Sequence, residues 1–424
     1  MPGRGLILAA ASSGAGKTTV TLGLLRALRR QGVAVRGAKS GPDYIDPRFH
    51  EAATGLTCMN LDAWAMTPER IKSLAAGDGL LIVEGAMGLF DGAPPDGRGA
   101  TADLARILGL PVVLVVDAAR MSQSVAPLVA GFAAHDPRVR IAGVILNRVG
   151  SDRHERMLRA ALAPLGLPVF GVLRRSSDLA LPDRHLGLVQ AEEHPALEAF
   201  LNTAADHVAT GVDLDGLEGC AMPLPTPKTA PPEPLFSHES VAVAHDRAFA
   251  FLYPHLVADW QKAGTRIKYF SPLANEPVPE ADLVYLPGGY PELHAGRLAN
   301  AERFLGSLRS AAQNSDIYGE CGGYMVLGEA LTDAEGNSHE MAGLLGLHTS
   351  FAARELHLGY RNLTSRSAHM PGTFAAHEFH YATTLRADGD PLFEATDAEG
   401  QTLPPMGLVA GRVSGSFAHV IVHR

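Results

Sequence analysis

Cysteine is scarce in this chain. Three residues in 424, Cys58, Cys220 and Cys321, are spread far apart with no C-x-x-C pair. That set supports neither a disulfide framework nor a zinc site, and it suits the reducing cytoplasm. Positive charge is also short, with 36 Lys and Arg against 45 Asp and Glu, a net charge of −9. A nucleic-acid or anionic-membrane partner calls for a clustered basic surface, so neither is expected. Long hydrophobic runs are missing too. Stretches such as residues 110–116 fall far below the ~20 residues of a spanning helix, and the start Met1 Pro2 Gly3 Arg4 lacks a signal-peptide pattern. What these absences leave is a cytoplasmic protein acting on small molecules.

What is present is a rhythm of short apolar segments in a chain that is 46% hydrophobic. Residues 6–11, 33–39, 79–83, 111–117, 142–147 and 169–173 read as strands separated by helical stretches. Strands so continuously apolar are buried on both faces, which is the mark of a parallel α/β sheet. Residues 222–235 then carry a dense run of prolines, the signature of a linker. Beyond it, 241–244, 266–270, 283–286 and 317–319 repeat the strand rhythm, with helical stretches at 251–263 and 299–314. The expectation is two α/β domains, 1–211 and 239–424, joined by a linker at 212–238.

The first strand runs into Ser12 Ser13 Gly14 Ala15 Gly16 Lys17 Thr18 Thr19, and Val20, Leu24, Leu25 and Leu28 follow at helical spacing. A glycine turn between strand and helix aims backbone N–H groups at a phosphate. Ser13, Gly14, Gly16, Lys17, Thr18 and Thr19 are therefore expected to hold ATP, with Lys17 on the terminal phosphates and Thr18 on magnesium. Ala11 stands where the phosphate-loop pattern usually begins with glycine. The next strands end in Ala38 Lys39 Ser40 Gly41 Pro42 Asp43 Tyr44 Ile45 Asp46 and in Val83 Glu84 Gly85. Carboxylates at the carboxyl ends of parallel strands lie where such sheets bind ligands, and magnesium needs only one or two of them beside the phosphates. Asp43, Asp46 and Glu84 join Thr18 as candidate metal ligands, the alternative being ordinary turn and cap roles. Lys39 is expected at the phosphates, and Asn147 is a candidate for the adenine or else a strand-end turn residue.

At the other end, Ile317 Tyr318 Gly319 Glu320 Cys321 Gly322 Gly323 is a G-x-C-x-G turn between an apolar strand and a helix-like run. An isolated cysteine is more often a buried small hydrophobe, but these flanking glycines permit the strained turn of a nucleophile elbow. A helix N-terminus there is expected to lower the thiol pKa and to offer N–H donors to an oxyanion. Gly322 is the expected source of one donor. The turn Pro287 Gly288 Gly289 Tyr290 Pro291 Glu292 is the candidate source of the second, through Gly289. His377, His380 and His419 are the candidate bases.

In order along the chain, SSGAGKTT, GPDYIDPRFH, VEGAMGLFDG, FSPLANEPVP, GGYPELHA, GECGGYMVLG, LGYR, HEFHY and GSFAH resemble the cobyrinic acid a,c-diamide synthase family. The likeness covers nearly the whole chain. It implies an N-terminal P-loop domain like that of dethiobiotin synthetase and a C-terminal class I, triad-type glutamine amidotransferase domain. It also implies Cys321 as glutaminase nucleophile, His419 as its base, and Mg2+ and ATP at the other site. The implied reaction is amidation of the a and c acetates of a corrin ring, hydrogenobyrinate or cobyrinate, with glutamine and ATP as the other substrates and a homodimer as the candidate assembly. Nickel-sirohydrochlorin a,c-diamide synthase and cobyric acid synthase are the enzyme alternatives, and a partition-type ATPase switch is the non-enzyme one. His419 is followed by Val420 and Ile421, so no H-x-E pair provides a third member. A Cys–His dyad oriented by a backbone carbonyl or by Glu378 is the expectation there.

Overall fold

A computed structural model of the chain describes residues 3–177, 179, 183–184, 187–188, 190–227 and 234–424. The chain divides into two compact units, Met1–Ala230 and Pro231–Arg424. Among the described residues no helix is long and apolar enough to cross a membrane.

The first unit is built on seven parallel strands: β1 (Arg4–Ala10), β2 (Val35–Ser40), β3 (Met59–Leu61), β4 (Leu80–Glu84), β5 (Val112–Asp117), β6 (Ile141–Val149) and β7 (Val169–Arg174). Their order is β3-β2-β4-β1-β5-β6-β7. Leu6, Ile7 and Leu8 of β1 and Val113, Leu114 and Val115 of β5 are wholly buried, as strands covered by helices on both faces must be. The chain lays β2, β3 and β4 on one side of β1 and β5, β6 and β7 on the other, and the crevice at the carboxyl end of β1 is where such sheets take ligands. The short edge strand β3 lay below the reach of periodicity. Within the expected linker 212–238, residues Leu214–Gly219 form a helix capped by the Asp213 side chain, which accepts from the Gly216 N–H at 2.9 Å. Leu217 of that helix is fully buried, and Met222–Pro223 pair antiparallel with Arg4 and Gly5 of β1. Proline density marked the segment, but buried leucines and a cap bind its first part to the sheet. Residues 228–233 lie outside the described residues.

The second unit holds a six-stranded sheet in the order Arg266–Phe270, Ser240–Ala244, Leu283–Leu286, Asp316–Glu320, Val413–Ser416, Leu408–Ala410. All of its pairs are parallel except the last. Along Leu283–Leu286 the side chains alternate between two cores: Val284 and Leu286 pack with Phe304 and Leu308, Leu283 and Tyr285 with Trp260, Phe374 and Phe393. The expectation of an α/β domain holds for this sheet. It misses a five-stranded antiparallel sheet ordered Thr402–Met406, Phe393–Thr396, His357–Ser365, Thr373–His380, Ala418–His423, and a further four-stranded one. Their strands alternate polar and apolar residues or are short, a weaker sequence signal than the buried parallel runs. The step from Val413–Ser416 in one sheet to Ala418–His423 in the next joins the two, and it positions the second active site.

Candidate active sites

In the first unit β1 ends at Ala10 and helix α1 (Lys17–Arg30) begins at Lys17. The turn between them needs left-handed backbone at Gly14 (φ 77°) and Gly16 (φ 87°), a region glycine enters without steric cost. A Cβ on Gly16 would lie 2.3 Å from Asn147 Nδ2. Asn147 reaches the loop from β6 and donates through Nδ2 to the Ala15 carbonyl at 2.9 Å, while its Oδ1 accepts from the Arg148 N–H. It braces the phosphate loop and also lines, with Gly16, Thr19, Val20, Leu173 and Ala204, a cavity against the first turn of α1.

Lys17 donates to the carbonyls of Ser12 and Met87. Burial, and then the Lys39 ammonium, lower its pKa, and a phosphate arriving here would act in the opposite direction. Lys39 and Glu84 are register partners on β2 and β4, which sets Nζ 2.8 Å from Glu84 Oε1, and the same ammonium pairs with Asp46. Thr18 Oγ1 donates to Glu84 Oε1 at 2.7 Å and lies 3.4 Å from Asp46 Oδ2. Thr18, Lys39, Asp46 and Glu84, far apart in sequence, thus meet at one point. Asp43 stands beside them but gives Oδ1 to the N–H groups of Ile45 and Asp46 at 2.7 and 3.0 Å, the capping use typical of aspartate.

Burial and Asp43 raise the Asp46 pKa to about 7 even beside Lys39. Burial opposes ionisation of Glu84 as well, yet Lys39 and His50 hold it well below the usual carboxylate range. Burial works against the Lys39 charge too, but Asp46 and Glu84 outweigh it and hold its pKa well above the usual value. The sequence reading assigned no role to His50. It lies in helix α2 (Asp46–Thr54), with Nε2 2.7 Å from Glu84 Oε2 and Nδ1 3.4 Å from Cys58 Sγ. Burial disfavours its charge, but Cys58 and Glu84 raise its pKa to about 10. It sits at the end of the GPDYIDPRFH motif, and only the fold reveals what it faces.

In the second unit Cys321 stands between the strand Asp316–Glu320 and the helix Gly322–Leu327. Its φ of 46° and ψ of −102° place a non-glycine residue in strained backbone, which typically costs ~1–3 kcal/mol and persists where function holds it. The Cys321 N–H is held by the Ser416 carbonyl at 2.8 Å. A Cβ built on Gly288 would come within 2.3 Å of His419 Cε1, 3.0 Å of His419 Nε2 and 3.3 Å of Cys321 Cβ. Cys321 and the Cε1–Nε2 edge of the His419 imidazole therefore converge on that glycine. A Cβ on Gly322 would lie 3.1 Å from the Gly289 nitrogen, so the two expected oxyanion donors are neighbours.

One expectation is reversed. The Cys321 pKa is raised, first by burial and then by the Glu292 carboxylate; the Gly322 N–H on the sulfur opposes this, and Glu320 and Glu378 add to it. The helix that was to lower it has only six residues, while burial and three carboxylates push the other way.

Glu378 is occupied otherwise than the sequence suggested: Arg361 Nε donates to its Oε2 at 2.9 Å, and His380 Nε2 lies 3.0 Å from Oε1. His380 is sandwiched between Phe417 at 4.0 Å and His357 at 4.6 Å. His357, Glu378 and His380 offer closely spaced ligand atoms, but the Arg361 guanidinium already neutralises the one carboxylate. The acid the sequence left unidentified has a different candidate in Glu320. It is buried, accepts from Tyr285 Oη at 2.8 Å and from the Val420 N–H at 2.9 Å, and places Oε2 3.6 Å from His419 Nδ1. No spacing rule pointed there, because it precedes the nucleophile rather than following the base.

His377 is the direct cross-strand partner of His419. Burial, then His419 and Arg361, lower its pKa to about 3. The unfolded chain binds a proton on it near pH 6.5, the folded chain only near 3, so its contribution is complete above 6.5 and is lost as pH falls through that window. The slope is at most about 1.4 kcal/mol per pH unit. His377→Gln should flatten the dependence of the urea midpoint on pH between about 7 and about 4. A variant keeping the parent's full dependence would remove His377 from the account.

Residues 240–424 match the family model of the CobB/CobQ-like glutamine amidotransferase domain, and residues 6–189 that of the CobQ/CobB/MinD/ParA nucleotide binding domain. A hydrogenobyrinate a,c-diamide synthase of Brucella anthropi is 56% identical over 437 residues, covering 99% of this chain and 98% of the relative. The protein of the same name from Rhizobium meliloti is 56% identical, covering 98% and 99%. That from Rhodobacter capsulatus is 52% identical, covering 99% and 98%.

Proposed function

Since this chain belongs to the hydrogenobyrinate a,c-diamide synthase family, we propose that it converts the a and c acetates of hydrogenobyrinate to amides, spending ATP and taking nitrogen from glutamine. The observation that carries this reading is the presence in one chain of two complete chemistries: a strained Cys321 elbow against His419, and a phosphate loop beside the Lys39–Asp46–Glu84 cluster.

In the glutaminase the Cys321 sulfur attacks the carboxamide carbon of glutamine while His419 takes the thiol proton. The thiol is raised in the free protein, so this transfer accompanies attack rather than preceding it. The N–H groups of Gly289 and Gly322 stabilise the oxyanion. His419 returns the proton to the departing nitrogen, ammonia leaves, and water hydrolyses the thioester to release glutamate. In the ligase a carboxylate oxygen of the ring substrate attacks the γ-phosphorus of ATP. The bond to the β,γ-bridging oxygen breaks, giving an acyl phosphate and ADP. Ammonia then attacks the acyl carbon and phosphate departs, leaving the amide. Ser13, Gly14, Gly16 and Thr19 cradle the phosphates through the loop and helix start, and Lys17 and Lys39 offset charge on the transferred group. The cavity lined by Asn147 takes the nucleotide base. Thr18, Asp46 and Glu84, with Asp43 beside them, would hold magnesium, which would supply positive charge to the phosphate oxygens.

The test is product mass after incubation with Mg-ATP, glutamine and hydrogenobyrinate, with cobyrinate in parallel. Two amidations of hydrogenobyrinate are expected; conversion of cobyrinate alone would overturn the ring assignment. Chelation by EDTA should stop amidation driven by either glutamine or ammonia while leaving glutamine hydrolysis measurable, and added magnesium should restore it. Amidation that persists in EDTA would remove the metal from the scheme.

A further inference from the structure

We infer that Glu320, the residue immediately before the nucleophile, is the acid that positions His419; the inference deepens the glutaminase reading above and rests on it. His419 is followed by Val420 and Ile421, so no acid lies two residues on. The backbone at that point is instead tied to Glu320, because the Val420 N–H donates to Oε1 at 2.9 Å. Oε2 accepts from Tyr285 Oη at 2.8 Å and faces His419 Nδ1 at 3.6 Å. Both residues are sealed from solvent, Glu320 at 1% exposure and His419 at 0%.

The edges of the ring sort themselves accordingly. Cε1 and Nε2 meet the Gly288 side, where Cys321 Cβ also lies, and Nδ1 meets the carboxylate. Such an arrangement favours the tautomer with its proton on Nδ1, leaving Nε2 to accept the thiol proton. The carboxylate's two hydrogen-bond donors are a phenol and a peptide N–H, both neutral. When His419 takes the proton from Cys321, the carboxylate gains a cationic neighbour. The attraction therefore grows toward the transition state, which is what accelerates a step. A separation of 3.6 Å is ion-pair range, and contacts of this kind tighten once substrate is bound. Topology supplies the placement: Glu320 is the register partner of Ser416 on the neighbouring parallel strand, and the chain turns from there directly into the strand carrying His419. Glu378 cannot serve, being shared between Arg361 and His380.

The experiment compares Glu320→Gln, Glu320→Asp and Tyr285→Phe in the full chain, reading glutamate release for kcat and KM, the acid limb of kcat/KM, and amidation driven by free ammonia. Gln keeps the acceptor oxygen and the shape but not the charge. It should lower glutaminase kcat on the order of 10²-fold, leave KM for glutamine within about twofold, and move the acid limb to lower pH, because the imidazolium loses its counter-charge. The other titratable groups bearing on the pair are Tyr285 and Tyr318 beside Glu320, Cys321, His377 opposite His419, and the carboxylates Glu292 and Glu378, none of them replaced in Glu320→Gln. Asp should recover part of kcat, and Tyr285→Phe, which keeps the charge, should lose far less than Gln. Ammonia-driven amidation at the parent rate shows that the first unit is intact, and a parent-like KM for glutamine and urea transition show that the second unit of each variant is folded. Parent-like kcat in Glu320→Gln, or equal losses in Gln and Phe with no shift of the limb, would overturn the assignment and leave Glu320 a strand tie. Glutamine hydrolysis that survives Cys321→Ala would instead sink the underlying glutaminase reading.

Discussion

Replacing Cys321 with alanine should reduce glutamine-driven amidation by more than about 10³-fold, the scale seen when a covalent nucleophile is lost, while free ammonia restores product. The asymmetry follows from the division of labour between the two units. Cys321 is 2% exposed and belongs wholly to the second unit, so its loss removes the source of ammonia and leaves the phosphate loop and its carboxylates intact. Alanine occupies the same left-handed backbone with the same strain as cysteine, so the elbow is neither relieved nor crowded. Product formed from glutamine at more than a trace would move the nucleophile elsewhere. Failure with ammonia as well would mean that the ligase needs the intact thiol, contrary to two separable chemistries. The comparison is made at saturating ATP and ring substrate, with glutamate release measured in the same samples.

Glu84→Ala should be the most damaging substitution in the first unit. Its carboxylate is fully buried and meets Thr18, Lys39 and His50 at 2.7, 2.8 and 2.7 Å. Removing it leaves the Lys39 ammonium and the His50 imidazolium in the interior without their shared counter-charge. Breaking a buried pair in this way costs about 3–5 kcal/mol, a large part of a domain's ordinary stability. The urea transition of the first unit should move accordingly and ATP-dependent amidation should vanish, whereas glutamine hydrolysis in the second unit should remain measurable. Glu84→Gln separates stability from chemistry: it keeps hydrogen-bonding shape at this point, so the transition should shift less than for alanine while amidation is still lost. A Glu84→Ala protein with the parent's urea midpoint would show that the cations find other partners, and the cluster would then not be the organising centre described above.

Much of the site was legible because its chemistry requires contiguous backbone. The Gly14–Thr19 loop and the Gly319–Gly323 elbow are single turns, and the left-handed glycines and the strained cysteine are written at fixed offsets. The parallel strands were legible because burial on both faces leaves unbroken apolar runs, and the structure places them within a few residues of the expected bounds. His50, by contrast, is one histidine on a helix until the fold sets Glu84 across from it. The helix Leu214–Gly219 was hidden by the prolines that follow it. The antiparallel half of the second unit was missed because shorter, half-exposed strands carry little periodic signal.

The electrostatics divide in the same way. Sequence pointed to a depressed thiol at Cys321 because a helix follows it, yet the sign at that sulfur is set by burial and by Glu292, Glu320 and Glu378, which the fold gathers around it. It left the orienting acid open because Glu320 acts across a strand-to-strand step rather than along the chain. By itself, then, the sequence determined the two chemistries, the parallel sheets beneath them and the two turns from which candidate residues for phosphate and carboxamide are drawn, since each is fixed by local backbone and side-chain type. Tertiary structure alone decided which charges meet, Lys39 and His50 on Glu84 and Glu320 beside His419, because electrostatic energy depends on separation and burial, and neither is a property of neighbours in sequence.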